Sequence, residues 1–214
     1  MGKGLYNAEY EHDACGVGMV VNIHGNKSHE LVDNALKVLE NMRHRGAEGA
    51  DNKTGDGAGI MLQIPHEFIL LQGIPVPEKG KYGTGLVFLP KDEAQQQDIL
   101  SIMIEEIERE GLSLMHLRNV PTNPDCLGET ALASEPDIKQ LFVTGVTDNR
   151  VPYFERTLYL IRKRLERRVK TGIPNGLQKK MLRTKTSTSA RCRARTLYIR
   201  VCCRASSCVS IFPT

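Results

Sequence analysis

Apolar and polar positions along the first 177 residues form blocks that predict short strands and amphipathic helices. Runs of apolar, β-branched residues predict strands, and apolar residues spaced three or four apart predict helices. The predicted strands cover residues 17–23, 60–64, 82–89, 112–120 and 138–143. The predicted helices cover residues 28–42, 66–71, 91–110 and 153–169. Strands and helices that alternate loosely indicate an α+β layered domain, although the pattern does not give the strand order.

The first and last predicted helices carry further local signals. Ser28 has the side chain of an N-cap, and residues 43–46 place basic side chains and then a glycine at the other end. In the last helix Leu158, Ile161 and Leu165 share an apolar stripe, and the Arg and Lys residues predict a solvated face. The glycine-rich stretch 47–59 predicts a long loop. It lacks the Gly-Lys-Ser/Thr ending of a P-loop, which excludes that type of phosphate site.

The composition divides the chain at residue 177. Residues 178–214 carry nine Lys and Arg and no acidic residue, so residues 1–177 carry 20 basic and 25 acidic side chains, a net charge of −5. The net charge of +4 therefore does not indicate a nucleic-acid-binding domain. Only Cys15 and Cys126 precede residue 178, which predicts a reduced, cytoplasmic protein. No segment predicts a signal peptide or a membrane span, and the six histidines lack metal-ligand spacing.

Cys15 is the candidate catalytic nucleophile. It follows a short polar leader, residues 1–14, and Gly16 and Gly18 leave room for close approach. If the leader is removed, Cys15 carries a thiol and a free α-amine, which together make a nucleophile and its base. Their ordinary pKa values, about 8.5 and about 7.7–8.0, suit chemistry near neutral pH. The alternative is that Cys15 is a buried, inert side chain.

Four motifs together resemble the N-terminal region of the glutamate synthase family. They are Cys15-Gly16-Val17-Gly18, Ser28-His29, Met42-Arg43-His44-Arg45-Gly46-Ala47 and Thr54-Gly55-Asp56-Gly57-Ala58-Gly59-Ile60. Residues 120–123 and 127–128 fit the same family, and the resemblance covers about residues 6–177. The first and third motifs are shared with class II glutamine amidotransferases in general. The run 54–60 favours glutamate synthase over class II members of the purine or hexosamine pathways.

The resemblance implies an N-terminal-nucleophile hydrolase-type fold, a four-layer αββα sandwich, of which residues 15–177 form an incomplete domain. It implies that the leader 1–14 is cleaved and that Cys15 hydrolyses L-glutamine through a thioester to glutamate and ammonia. In the full-length family the ammonia is channelled to 2-oxoglutarate for reductive glutamate synthesis. That step uses FMN, an iron–sulfur cluster and NAD(P)H or ferredoxin, in an FMN synthase domain that can join a small NADPH-oxidising subunit. None of these cofactors is expected in this chain.

The resemblance also suggests site residues beyond Cys15. Arg45 and Gly46 match the family's His-Arg-Gly motif and are the candidate substrate-binding residues, although Arg45 can equally serve as a helix C-terminal cation. Asp56 is expected to shape a tight loop. The family's oxyanion-hole Asn-Gly pair and glutamine clamp lie beyond this chain, and Asn175-Gly176 stands in a different context. Losing one oxyanion donor costs about 100- to 1,000-fold in turnover, so we expect the chain as written to be inactive as a glutaminase.

The basic tail, residues 178–214, has three interpretations. A nucleic-acid or metal-binding segment is disfavoured because Cys202, Cys203 and Cys208 lack zinc-type Cys-x-x-Cys spacing and aromatic residues are sparse. The stretch 197–203 is too apolar for a disordered linker. We favour a shifted reading frame. With permissible codons, a one-nucleotide shift from Gln178 gives a peptide that resembles the family's next segment. The functional alternatives are a non-enzymatic remnant and a basic-tailed binding module.

Sequencing the coding DNA from the codons of residues 174–185 past the stop codon tests the frame shift. We expect an alternative frame that stays open from Gln178 and encodes the family's missing Asn-Gly, Arg and Asp elements. The reason is that acidic residues disappear, and Arg and Cys become frequent, at one position. A coding sequence that confirms the printed frame would contradict this prediction.

Overall fold

The structure is a computed structural model that describes residues 16–46, 53–145, 151–172 and 196–203. Its helices are α1 (His29–Asn41), α2 (His66–Leu71), α3 (Glu93–Arg109), α4 (Glu129–Leu132) and α5 (Val151–Gly172). Its strands are β1 (Thr54–Gln63), β2 (Tyr82–Leu89), β3 (Ser113–Asn119), β4 (Asp137–Thr144) and β5 (Thr196–Cys203). The chain divides into two compact units, one drawn from residues 1–58, 123–131 and 200–214, the other from residues 59–122 and 132–199.

A three-stranded antiparallel sheet with β4 at its centre organises the second unit. On one side β2 pairs with β4, with Tyr82 opposite Thr144 and Leu89 opposite Asp137. On the other side β3 pairs with β4, and a bulge follows Leu114. Successive side chains of a strand point to opposite faces. Side chains of the central strand β4 therefore contribute to both faces of the sheet.

Helices α3 and α5 cover one face of this sheet with their apolar stripes. The buried residues of this layer are Val87, Leu89, Ile99, Met103, Ile107, Leu112, Leu141, Val143, Phe154, Leu158, Ile161, Leu165 and Val169. The predicted stripe of Leu158, Ile161 and Leu165 is confirmed, with each side chain at most 4% exposed. At Gly83 a Cβ atom would lie only 2.6 Å from Leu158 Cδ1, so the missing side chain lets α5 approach the sheet closely.

The opposite face of the sheet carries a second buried cluster that includes hydrogen-bonded polar groups. Its apolar members are Ile64, Ile69, Ile74, Tyr82 and Phe142. Thr84 Oγ1 donates to the carbonyl of Leu141 at 2.9 Å and accepts from Gln140 Nε2 at 3.0 Å, so neither buried side chain lacks a partner. The Tyr82 hydroxyl lies 3.1 Å from His66 Nδ1. Burial, and secondarily the Glu67 carboxylate, raises the pKa of Tyr82.

The basic face of α5 is exposed at Arg156, Lys163 and Arg167, as predicted, and it also forms ion pairs with α3 that the sequence did not predict. Arg164 pairs with Glu110, and Arg168 pairs with Glu105 and Glu106 of α3. Glu106 is fully buried, and its Oε1 accepts from Arg168 Nη1 at 2.8 Å. A buried carboxylate needs such a cation. In turn, the hydrogen bonds to Glu105 and Glu106 raise the pKa of Arg168.

The prediction of a buried strand at residues 17–23 is wrong. This segment forms no strand in the structure, and the chain turns where the Gly25 N–H donates to the Asn22 carbonyl at 3.0 Å. Val17 is 89% exposed and Met19 is 87% exposed. An apolar run becomes a strand only where a neighbouring edge supplies hydrogen bonds. The described residues offer this segment no such edge.

The glycine-rich loop predicted over residues 47–59 is also wrong in its second half. Residues from Thr54 onward belong to β1, so Asp56 lies in a strand rather than a tight loop. Gly57 has φ of 90°, a conformation that favours glycine, within this strand. β1 pairs with β5, which contains the apolar stretch 197–203 of the tail. The remaining predicted helices and strands each begin and end within three residues of the observed element.

Replacing Leu158 with alanine tests the packing of α5 on the sheet. We expect the free energy of unfolding to fall by about 2–5 kcal/mol, because a cavity remains where a buried side chain is shortened. Urea unfolding measures this change. The matched control is Leu71→Ala, at a side chain that is 84% exposed, where a change within about 0.5 kcal/mol is expected. Equal losses for the two variants would contradict the core position of Leu158.

Candidate functional site

The three candidate site residues differ in how far the structure describes them. Cys15 lies outside the described residues. The backbone of Arg45 is described, in a 3₁₀ turn formed by Arg43–Arg45, but its side chain is not. Gly46 is described in full and is exposed. The site is therefore traced from the residues that follow Cys15 and from the end of α1.

The segment that follows Cys15 packs against the last turns of α1. A Cβ atom at Gly18 would overlap Cγ1 of Val38 and would lie 3.9 Å from Met42 Cε. Only a residue without a side chain permits this approach. The second glycine of the Cys-Gly-x-Gly motif thus lies against Val38, with the Met42 side chain at the edge of the contact. The structure therefore brings the segment that follows Cys15 against the last turns of α1, which lead into the 3₁₀ turn.

Hydrogen bonds near the end of α1 hold the 3₁₀ turn and the residue after it. The Met42 N–H donates to the carbonyls of Val38 and Leu39, each at 3.1 Å. His44 Nδ1 donates to the Asn41 carbonyl at 3.0 Å, and the Gly46 N–H donates to the Arg43 carbonyl at 3.2 Å. These bonds satisfy carbonyls that a helix end leaves without an intrahelical partner. The backbone of the His-Arg-Gly motif is therefore anchored to α1.

Gly46 is not required as a glycine by its own backbone. Its φ of −95° and ψ of 147° are extended values that any residue adopts. A Cβ atom there would lie 3.7 Å from the Arg43 carbonyl oxygen, which is an ordinary contact distance. Nothing in the described part of the chain would therefore reject a side chain at Gly46. A side chain at this position would, however, obstruct a ligand that approaches the exposed backbone.

The Ser28-His29 motif begins α1. Ser28 occupies the predicted N-cap position with an extended backbone, but its side chain makes no capping hydrogen bond. His29 Nδ1 instead lies 3.1 Å from Asp33 Oδ2, one turn further along the helix. Both side chains are exposed. The motif marks the start of α1, and its side chains form no catalytic arrangement among the described residues.

Two polar side chains outside the predicted site also stand out. Cys126 Sγ donates to the Asn123 carbonyl at 3.2 Å in the second 3₁₀ turn, Pro124–Cys126. In β3 the Arg118 Nε is buried without a hydrogen-bond partner, and burial lowers the pKa of this guanidinium. Arg118 is not among the residues that the sequence predicts for the site. Its only signal in the sequence is a cation next to an apolar residue, Leu117, in a predicted strand.

Metal-binding and membrane-spanning features are absent from the part of the chain that the structure describes. No group of three or more His, Cys, Asp or Glu side chains there could hold a metal ion. Within the same residues, no helix has both the length and the apolar character needed to cross a membrane.

Comparison with known proteins identifies the family. The sequence profile of the glutamine amidotransferases class-II matches residues 15–190. The glutamate synthase (NADPH) large chain of Bacillus subtilis is 39% identical over 178 residues, which are 82% of this chain and 12% of that protein. The glutamate synthase (NADH) of Saccharomyces cerevisiae is 42% identical over 188 residues, with coverage of 81% and 9%. The chloroplastic ferredoxin-dependent glutamate synthase 2 of Arabidopsis thaliana is 37% identical over 163 residues, with coverage of 74% and 10%.

This chain spans about a tenth of the length of the curated relatives that it matches. The profile covers most of the chain, and its match begins at Cys15. The predicted resemblance is confirmed by both comparisons. The helices and the antiparallel sheet described above agree with an α+β domain of this type. The chain belongs to the class II glutamine amidotransferase family and corresponds to the N-terminal amidotransferase domain of glutamate synthase large chains.

Proposed function

We propose that this chain supplies the nucleophile and the adjoining substrate loop of a glutamine-hydrolysing site. Cys15 is the catalytic residue in this proposal, after removal of the leader 1–14. The contact of Gly18 with Val38 and Met42 carries the proposal. It brings the segment next to Cys15 against the end of α1, where Arg45 and Gly46 follow. A glutamine-hydrolysing site needs its nucleophile close to its substrate contacts, and these two motifs carry the candidates for both.

The chemistry uses only groups of Cys15, the substrate and water. The free α-amine takes the thiol proton, and Sγ attacks the carboxamide carbon of L-glutamine. The carbon–nitrogen bond breaks, and the nitrogen leaves as ammonia with that proton. Water then cleaves the thioester, which releases glutamate and restores the thiol. Arg45 and Gly46 bind the substrate, and Gly46 does so by leaving its backbone open.

The finer architecture of the proposal is a four-layer αββα sandwich. Its support is that the β2-β4-β3 sheet has two buried faces. One lies under α3 and α5, and the other carries Tyr82 and Phe142. We place the domain at residues 15–177 and the out-of-frame tail at residues 178–214, because the charge changes there. The family match extends further, to residue 190.

The wider reaction belongs to the longer relatives. We propose that the ammonia is passed to 2-oxoglutarate for reductive glutamate synthesis in a reducing, cytoplasmic setting. The described residues hold no cluster of metal ligands, so they do not fit an iron–sulfur centre. We assign FMN, the iron–sulfur centre and the contacts with any small NADPH-oxidising subunit to the parts of the longer relatives that this chain does not span. The matched relatives are named for NADPH, NADH and ferredoxin, so similarity does not select the electron donor.

A chimera tests the role of Cys15. Residues 1–177 of this chain would replace the matching segment of the Bacillus subtilis large chain, which is 39% identical. We expect mass spectrometry to find a mature N-terminus at Cys15. We also expect Cys15→Ala to lower glutamine-dependent glutamate synthesis by at least about 1,000-fold, because the nucleophile is lost. Synthesis from added ammonia should persist, since ammonia bypasses the hydrolysis.

Controls in the same chimera separate Cys15 from a general effect of cysteine loss. Cys126→Ser should leave the glutamine-dependent rate unchanged, because a serine hydroxyl can keep the hydrogen bond to the Asn123 carbonyl. For the parent chimera, glutamine-dependent kcat/KM should rise with pH through about 7.7–8.0, since the α-amine is a base only when deprotonated. Retained glutamine-dependent activity in Cys15→Ala would overturn the proposed function.

Gly46→Ala tests whether Gly46 contacts the substrate. The added Cβ fits the folded backbone, so we expect a change of less than about 0.5 kcal/mol in the free energy of unfolding. The KM for glutamine in the chimera should rise about tenfold, or about 1.4 kcal/mol, with the ammonia-dependent rate unchanged. Gly18→Ala is the contrasting variant and should lose stability, because its Cβ overlaps Val38. An unchanged KM in Gly46→Ala would remove Gly46 from the binding site.

A further inference from the structure

Arg118 in β3 is a half-buried arginine without a partner among the described residues. Its Nε is buried without a hydrogen bond, and within the described ranges its guanidinium forms no ion pair. Burial lowers the pKa of this guanidinium, and no carboxylate opposes that shift. Arg168 shows the usual arrangement, because it pairs with Glu105 and Glu106, which raise its pKa. A cation that loses water without gaining a carboxylate is costly.

The side chain of Arg118 lies on the face of the sheet opposite α3 and α5. Arg118 is paired with Gln140 of β4, Gln140 is paired with Leu86 of β2, and directly paired residues share a face. Gln140 lies two residues from Phe142, which belongs to the second buried cluster. Leu117, the residue before Arg118, packs instead against the layer under the helices. The guanidinium therefore belongs to the same face as Phe142.

That face is covered at one end and partly open at the other. The second buried cluster lies at the covered end. At the other end Leu86, Phe88 and Ile138 are only half-buried, and none of them belongs to that cluster. Phe88 and Ile138 are directly paired, so the open end extends across β2 and β4. We use the term Arg118 face for the surface formed by Leu86, Phe88, Arg118 and Ile138.

The sheet itself supplies no carboxylate for Arg118. Asp137 is the only acidic residue of β2, β3 and β4. It precedes Ile138 in β4 and therefore lies on the other face, where Lys139 Nζ is 3.1 Å from its Oδ2. The guanidinium edge formed by Nε and one Nη matches the two oxygens of a carboxylate. An Asp or Glu side chain from outside the sheet would therefore satisfy the buried Nε.

We propose that the Arg118 face docks a segment of the longer glutamate synthase polypeptide, and that an Asp or Glu of this segment forms a bidentate ion pair with Arg118. This chain spans about a tenth of its curated relatives, so most of that polypeptide lies outside it. A segment of the same polypeptide meets the face at a high effective concentration. It also covers the half-buried apolar side chains around the guanidinium. The inference goes beyond glutamine hydrolysis and does not depend on Cys15.

Two other occupants fit the Arg118 face less well. A second copy of this chain would bring a second Arg118 to a twofold interface, and like charges repel there. A free anion such as phosphate would neutralise the cation but would leave Leu86, Phe88 and Ile138 in contact with water. A carboxylate carried on an apolar segment meets both requirements.

Arg118→Met tests the ion pair in two proteins, the full chain alone and the chimera with the Bacillus subtilis large chain. In the full chain the thermal unfolding midpoint should stay the same or rise, because methionine removes an unpaired cation. In the chimera the midpoint of the amidotransferase domain should fall by about 4 °C or more, because the partner carboxylate loses its cation. Arg156→Met, at an exposed arginine of α5, is the matched control and should shift neither midpoint by more than about 1 °C. The same shift for Arg118→Met in both proteins would overturn the proposal.

Cross-linking then identifies the partner carboxylate. In the Arg118→Lys chimera a carbodiimide joins the new amine to a carboxylate in contact with it, takes up the water that is lost, and leaves an amide bond. Mass spectrometry should find this bond between position 118 and an Asp or Glu in the part of the Bacillus subtilis sequence that follows the matched segment. No cross-link from position 118, or one to a residue within 1–177, would overturn the proposal. Neither measurement reports glutamine hydrolysis, so its failure is distinct from a failure of the proposed function.

Discussion

The packing of α3 and α5 on β4 is the constraint on which the described part of the second unit depends. Three consecutive residues of β4, Leu141, Phe142 and Val143, are each at most 2% exposed. The outer two enter the layer under the helices, and Phe142 enters the cluster on the opposite face. A shift of one residue in the register of β4 would exchange the two faces of this strand. Polar side chains would then lie in the apolar layer under the helices. The register of β2 and β3 follows from this strand.

The elements of that unit could be predicted from the sequence because each has its own pattern. Residues 82–89 end in a continuous apolar run, which is typical of a strand buried on both faces, and residues 153–169 repeat at helical spacing. The segments 17–23 and 54–59 were mispredicted for opposite reasons. The first is apolar but has no strand edge beside it among the described residues, and the second is glycine-rich but pairs with another strand. Pairing is a tertiary property that local composition does not encode.

For the candidate site, the chemistry could be predicted from the sequence, whereas the geometry could not. The residue type of Cys15 and its position after a short leader were enough to suggest a nucleophile with its own amine. The contact between Gly18 and Val38 could not be predicted, because nothing local links two residues that lie twenty positions apart. Family resemblance related the two motifs without explaining why they belong together. The structure supplies a physical reason, which is the close approach that a missing side chain permits.

The glycines of this chain serve different physical purposes, and the difference separates fold from function. Gly57 has a positive φ, and Gly18 and Gly83 lie where a Cβ would crowd a neighbouring side chain, so their role is in the fold. Gly46 has ordinary dihedral angles and space for a Cβ. Among the described residues, no backbone or packing constraint requires a glycine at this position, and the proposed substrate contact is a reason for one. The proposed role of Gly46 therefore rests on its open backbone, whereas Gly18, Gly57 and Gly83 are explained by the fold.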